Sequence, residues 1–305
     1  MSATSETGTG TGTRPLSRWR TWSAIATAAI LAVGALGSTP TAVAAPTVTL
    51  YLAGLEPNRV FSLPGTGGAV TTLAEGTLTN DMTFVDGTLF TTDPRGSVLS
   101  IPAAGGQLTT VADGLDLPIG VAESGGTLFV VESNAGRILA IPTTGGTPRV
   151  VAEGLDAPGP IAVSGETLYI GESGAQRVVS VPTSGGQPTV LAEFNGGTTG
   201  VALSGNVIYV SLTDRVVSLP VGGGQPTLVV DGLFSATGLT AVGNTLYIAE
   251  HYGSKVVSVP RAGGTTTVVA DNLGNLTAIA ASSTEGPPAP CGGSVCLGPG
   301  SFGSS

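Results

Sequence analysis

Carboxylates are the main chemical resource of this chain. Its 305 residues hold 20 Asp and Glu against 11 Lys and Arg, with one histidine and two cysteines. Several acids sit at a fixed distance from a base. Glu132, Glu172 and Glu250 are followed five residues later by Arg137, Arg177 and Lys255. Asp93 breaks the rule, with Ser97 at the matching place and Arg95 nearby. An acid without a partner base invites a hard cation such as Ca²⁺ or Mg²⁺, bound through oxygen ligands. Asn80 and Asp81 lie upstream of Asp93, at a place where related segments carry Ile, Gly or Thr. Asn80, Asp81, Asp93 and Glu132 are therefore the expected polar-ligand residues, and Asp81, Asp93 and Glu132 the expected metal ligands. The plain alternative is that these acids only solvate and pair strand ends. His251 stands between Glu250 and Tyr252. An imidazole titrates near neutral pH, so His251 with Glu250 is the candidate for proton transfer, and Tyr252 a candidate contact. A lone histidine without a role is the alternative. No HExxH or GxSxG pattern occurs, and no Ser-His-Asp set follows from spacing.

What must position these residues is a repeat. Pro-x-x-Gly-Gly recurs at Pro64, Pro102, Pro142, Pro182, Pro220 and Pro260, at spacings of 38 to 40 residues. An aromatic column moves in step: Tyr51, Phe90, Phe129, Tyr169, Tyr209 and Tyr247. Each unit reads as four short strands, which in the fourth unit fall near residues 161–163, 167–171, 177–181 and 188–192, labelled a to d. β-branched and aromatic residues fill them and Gly-rich turns separate them. Four-stranded units of about 40 residues describe β-propeller blades, whereas leucine-rich and β-helical solenoids have shorter periods. The first unit starts with a b-type strand, residues 48–52, and lacks an a-strand. Residues 276–281 supply the missing strand after the last unit. The expected fold is all-β: six four-stranded antiparallel blades over residues 45–282, the first closed by the C-terminal strand.

Strand direction places the b–c and d–a loops on one face of the disc and the short a–b and c–d hairpins on the other. The longer loops are where function is expected. Strand d ends in an acid in every unit, at Glu75, Asp113, Glu153, Glu193, Asp231 and Asp271. Clusters such as Glu172, Arg177 and Glu193 are expected as exposed cross-strand ion groups, each contributing about 0–1 kcal/mol.

The ends of the chain carry an address and a tail. Arg14, Arg18 and Arg20 precede an apolar stretch over residues 24–37, and Ala42-Val43-Ala44 follows. This is the pattern of a Sec-type signal peptide, residues 1–44, cut after Ala44. The alternative, an uncleaved anchor, is too short at 14 residues to cross a hydrocarbon core of roughly 30 Å. Without Glu6 and the three arginines the net charge becomes about −11, which excludes phosphate backbones and so nucleic acid as natural partners. Both tryptophans, Trp19 and Trp22, leave with this segment, which weakens sugar-stacking readings. Residues 283–305 are rich in Gly, Pro and Ser and read as a flexible tail. They hold Cys291 and Cys296, a disulfide loop in an exported protein or, less naturally, part of a metal site.

The units TLFVVESNAGRILAI, from Thr127 to Ile141, and TLYIGESGAQRVVSV, from Thr167 to Val181, resemble those of secreted NHL-like propellers and the SMP-30/gluconolactonase group. The likeness covers residues 47–282. It implies an acid and an arginine paired structurally in each unit. Enzymatic SMP-30-like members hold a central divalent ion with Glu, Asn and Asp. Glu132, Asn134 and Asp81 have suitable types, without the family's metal motif around them. Virginiamycin B lyase is another similar ring, using a histidine and acids with Mg²⁺. Glu250 and His251 match it, whereas its GPDG-type turns are missing here.

Together these features predict a secreted or cell-wall-associated monomeric binding propeller with no required cofactor. It would present its loop face to an extracellular peptide, glycan or small molecule. A divalent-metal-dependent lactonase-like hydrolase or lyase, with its site at the channel mouth, is the rival expectation. A purely structural envelope protein is a third.

Overall fold

The computed structural model describes residues 47–284. The expected signal segment and the Cys291–Cys296 pair lie outside the described residues. Twenty-four strands form six four-stranded sheets, each antiparallel throughout. Blade 1 is ordered β24 (Leu276–Thr284), β1 (Thr47–Leu55), β2 (Asn58–Pro64), β3 (Thr71–Glu75). Blades 2 to 6 follow in sequence order, beginning at β4 (Met82–Val85), β8 (Pro118–Ser124), β12 (Pro158–Ser164), β16 (Thr198–Ser204) and β20 (Ala236–Val242). Ring closure takes the expected form. β24 pairs with β1 from Thr47↔Thr284 to Gly54↔Leu276, so the last strand of the described chain completes the first blade. No helix among the described residues is long and apolar enough to cross a membrane.

Alternation builds the core between blades, not within them. Each b-strand presents one face to either neighbour, so it is buried almost throughout, as in Leu168, Tyr169 and Ile170. The buried apolar residues fall into six clusters, one per blade interface. Across the closing interface, Leu50, Leu52 and Phe61 of blade 1 meet Tyr247 and Val256 of blade 6. The aromatic column of the repeat is thus part of this inter-blade packing.

The Pro-x-x-Gly-Gly column has an inter-blade cause as well. Its first glycine takes positive φ in the c–d hairpin, +104° at Gly185. A Cβ there would lie 2.9 Å from the carbonyl oxygen of Val151 in the preceding blade. Gly67 makes the same approach to Val269 across the closing interface. Only glycine satisfies both the turn and the contact.

Candidate functional site

The strand-end acids come first, because the structure reassigns them. Glu132 and Glu172 are 1% and 0% exposed. Each sends Oε2 to the arginine across the b–c turn, Arg137 or Arg177. Each sends Oε1 to a backbone N–H of the d–a loop, Asp116 or Asp156, at 2.7 Å. Glu250 faces Lys255 at 3.2 Å. Glu132 and Glu172 are thus not exposed rim pairs, as expected from sequence, but buried clamps that tie the b–c turn to the preceding d–a loop. The b and c strands do align Glu172 with Arg177, and Arg177 with Glu193, as predicted. The direct ion pair, however, is with Glu172.

Asp93 is not a carboxylate without a base. Arg95, two residues on, donates its Nε to both carboxylate oxygens at 2.9 and 3.1 Å. That guanidinium holds the Asp93 carboxyl below the usual range. The tighter b–c turn of blade 2 brings the base from within the turn itself, so Ser97 need not supply it. Asn134 donates to the Asp116 carboxylate at 3.1 Å, on the outside of the same loop pair that Glu132 clamps. The structure does not bring Asp81, Asp93 and Glu132 onto one point: Asp93 pairs with Arg95, Glu132 with Arg137, and Asp81 accepts from the N–H groups of Met82 and Val121. Each acid has separate partners, and among the described residues no three His, Cys, Asp or Glu side chains group so as to hold a metal ion.

Asn80 and Asp81 lie on the inner side of blade 2. The a-strands of all six blades enclose a central channel of about 760 Å³, and both residues line it. In the column of Asp81 the other blades carry Ala278, Gly120, Pro160, Gly200 and Gly238. At Gly120 and Gly200 a Cβ would meet neighbouring atoms at 2.2 and 2.6 Å, which accounts for the small residues. Blade 2 instead turns its chain here. Asp81 N–H donates to Thr92 Oγ1, and β4 begins only at Met82, leaving a strand of four residues where blades 3 to 6 have seven. The carboxylate accepts its neighbour's N–H, from Met82 at 2.8 Å, and that of Val121 in blade 3 at 3.1 Å. It stays half-buried in the channel wall. Surrounding protein desolvates it and pushes its pKa up to about 7, against the opposing pull of the two N–H donors.

His251 lines the same channel. Its Nδ1 lies 2.8 Å from the carbonyl oxygen of Leu276 in blade 1. A carbonyl only accepts, so Nδ1 carries a proton; in the neutral form of the ring the lone pair is then on Nε2. In blade 4 the same position after the strand-end acid is Ser173, whose hydroxyl donates to the matching carbonyl of the next blade, Thr198, at 2.8 Å. His251 is thus a larger version of a blade-to-blade clasp. Glu250 is turned to Lys255, and nothing joins it to the imidazole as a base-orienting partner.

At the rim, Tyr252 is 69% exposed and packs edge-on against His251 with ring centroids 4.8 Å apart. Phe234, 61% exposed, meets Tyr252 edge-on at 6.4 Å. Sequence reading passed over Phe234. Its only signal is a large aromatic in a Gly-Leu-x loop, at a place where the other units carry Leu78, Asp116, Asp156, Gly196 and Gly274. The d–a loops around this face bear exposed acids, including Asp113, Asp156, Asp231 and Asp271.

No family model matches the chain, and no curated protein matches it. Solved structures do, in 1033 chains. One of them comes from the crystal structure of a nidogen/laminin complex. It superposes with a TM-score of 0.68 over 78% of this chain and 98% of its own, at 20% identity. At that identity the likeness establishes the β-propeller fold.

Proposed function

We propose that this chain is an exported, non-enzymatic binding propeller that takes its ligand on the b–c and d–a loop face, at the channel mouth of blade 6. The observation that carries this reading is the exposed Phe234–Tyr252 pair standing over His251 beside an open channel. Two large exposed aromatic rings in contact cost solvation unless a partner covers them. Ringed by acids, they suit a neutral or basic partner, in the class of peptides, glycans or small molecules. The four carboxylates that end b-strands, Asp93, Glu132, Glu172 and Glu250, face Arg95, Arg137, Arg177 and Lys255. The resembling chain from the nidogen/laminin structure was also seen in a complex of proteins, which agrees with a propeller used for binding. Export rests on the residue 1–44 pattern and predicts recovery from culture medium with Ala45 at the N-terminus, read by mass spectrometry.

The test of binding is a thermal-shift panel of oligosaccharides and short peptides on the protein and on F234A/Y252A. A ligand that raises Tm in the first and not in the second supports the reading. Ligands that act equally on both, or a silent panel, overturn it.

A further inference from the structure

Along one arc of the channel wall, polar side chains point their donors in a single direction around the ring. Thr237 of blade 6 donates its hydroxyl to Leu276 O of blade 1 at 3.1 Å. Thr277 of blade 1 donates to Thr79 O of blade 2 at 2.6 Å. Asn80 of blade 2 donates Nδ2 to Pro118 O of blade 3 at 3.1 Å. These three residues share one column of the repeat, and each reaches the carbonyl one place earlier in the following blade. In the same column blades 3 and 4 have Ile119 and Gly159, which have no such group, and Thr199 of blade 5 directs its hydroxyl to Ser211 O of its own blade at 3.1 Å. His251 adds a fourth donor, also to Leu276 O.

A hydroxyl has one proton. Once Thr237 and Thr277 have directed theirs to a neighbouring carbonyl, only lone pairs remain for the channel. The same holds for neutral His251 at Nε2. Asp81 is acceptor-only when ionised, and its two backbone bonds leave one lone pair on each oxygen. The second N–H of Asn80 is the one side-chain donor left among these five residues. The arc is continuous, because His251 and Thr237 meet at Leu276, whose neighbour Thr277 reaches Thr79, next to Asn80 and Asp81. Its charge is one-signed too. Asp81, Glu123 and His251 are the titratable groups among the described residues lining the channel, with no Lys or Arg. Glu123 is engaged with the Gly126 N–H at 2.7 Å.

We infer that this acceptor arc, His251, Thr237, Thr277, Asn80 and Asp81, receives a primary alkylammonium group. Three N–H donors on a compact cation answer a row of lone pairs with one carboxylate, and a cation beside Asp81 offsets the desolvation of its charge. The chemistry is shared by a free small amine and by the lysine side chain of a partner. This deepens the binding reading above and rests on it.

The test is calorimetric titration of the full protein with n-butylammonium, tetramethylammonium, sorbitol and the peptide Gly-Gly-Lys-Gly-Gly, with D81N and T277V alongside. Expected is binding of butylammonium at least tenfold tighter than tetramethylammonium, which has the charge without N–H donors, and a tenfold loss in D81N. Peptide binding tenfold tighter than the amine assigns a partner lysine, and parity assigns a free amine. The comparison of ammonium ions on the unaltered protein stands even if either variant misfolds. Equal binding of the two ammonium ions overturns the inference, as does sorbitol binding without ammonium binding. If ammonium fails while the thermal-shift panel still finds a ligand dependent on Phe234 and Tyr252, the binding reading survives and the inference falls. If both fail, both fall.

Discussion

The Asp81 carboxylate accepts the Val121 N–H at 3.1 Å, so a side chain of blade 2 completes the backbone hydrogen bonding of blade 3. At this strand column blade 2 uses a carboxylate where its counterparts have Ala, Gly or Pro. The same group faces the channel with a pKa near 7. Structure and titration therefore meet in one residue.

Because the folded pKa of Asp81 is raised above the usual 3.8, the folded state holds this proton more tightly than the unfolded chain. Its favourable contribution is complete below about pH 4 and is lost as pH rises towards about 7. Glu123 and His251 are the other titratable groups lining the channel. In D81N the downward slope of Tm between pH 4 and 7 is expected to flatten relative to the unaltered protein. Parallel Tm curves for the two proteins over that interval would contradict the assignment. Asp93, held low by Arg95, acts in a separate window, losing its contribution below about pH 4.

Glu172 and Asp214 give a paired comparison. E172Q removes the charge and replaces one of the two accepting oxygens by an NH2 donor, so either Arg177 or the Asp156 N–H loses its buried acceptor; a loss of about 3 kcal/mol is expected, near the lower end for broken buried pairs because Arg177 keeps contact with water. D214N removes a pair with Arg215 whose acid is largely exposed and should change stability by about 0–1 kcal/mol. Urea unfolding of both variants reads the difference, and equal effects would refute the clamp.

Two glycines separate conformation from crowding. Gly205 has φ +57° and open space around a Cβ, so G205A should cost about 1 kcal/mol. At Gly185, with φ +104° and the Val151 carbonyl oxygen 2.9 Å away, alanine should cost clearly more and should lower cooperativity between blades 3 and 4. Denaturant midpoints and slopes measure both.

His251 is expected to act as a clasp in the apo protein. H251A should lose about 1 kcal/mol with its hydrogen bond, and H251S should recover part of that, since Ser173 makes the same bond in blade 4. Failure of serine to improve on alanine would show that the imidazole packs in place by other contacts.

The ring was readable because its causes repeat. Pro-x-x-Gly-Gly, the aromatic column and the missing first a-strand each follow from contacts made six times, so a single sequence contains its own comparison. The b-to-c acid and base pairs were readable in register for the same reason. Their burial was not, since it depends on the d–a loop folding over Glu132 and Glu172. Arg95 was visible and misjudged, because a turn one residue shorter changes which base faces Asp93. Asp81 stood out as an exception to its column, whereas Phe234 and the one-sided direction of the Thr237, Thr277 and Asn80 bonds required neighbouring blades to be seen together.

The strand pair that locks the ring also decides how it resists a pull. Thr47 opposes Thr284 at the outer end of the β1–β24 ladder, so both chain exits leave from the same place. Tension applied there loads one hydrogen-bonded step at a time and peels the two strands apart from Thr47 inward, where opposite exits would have loaded the whole ladder in shear. The seam thus resists least where force is applied at its tip.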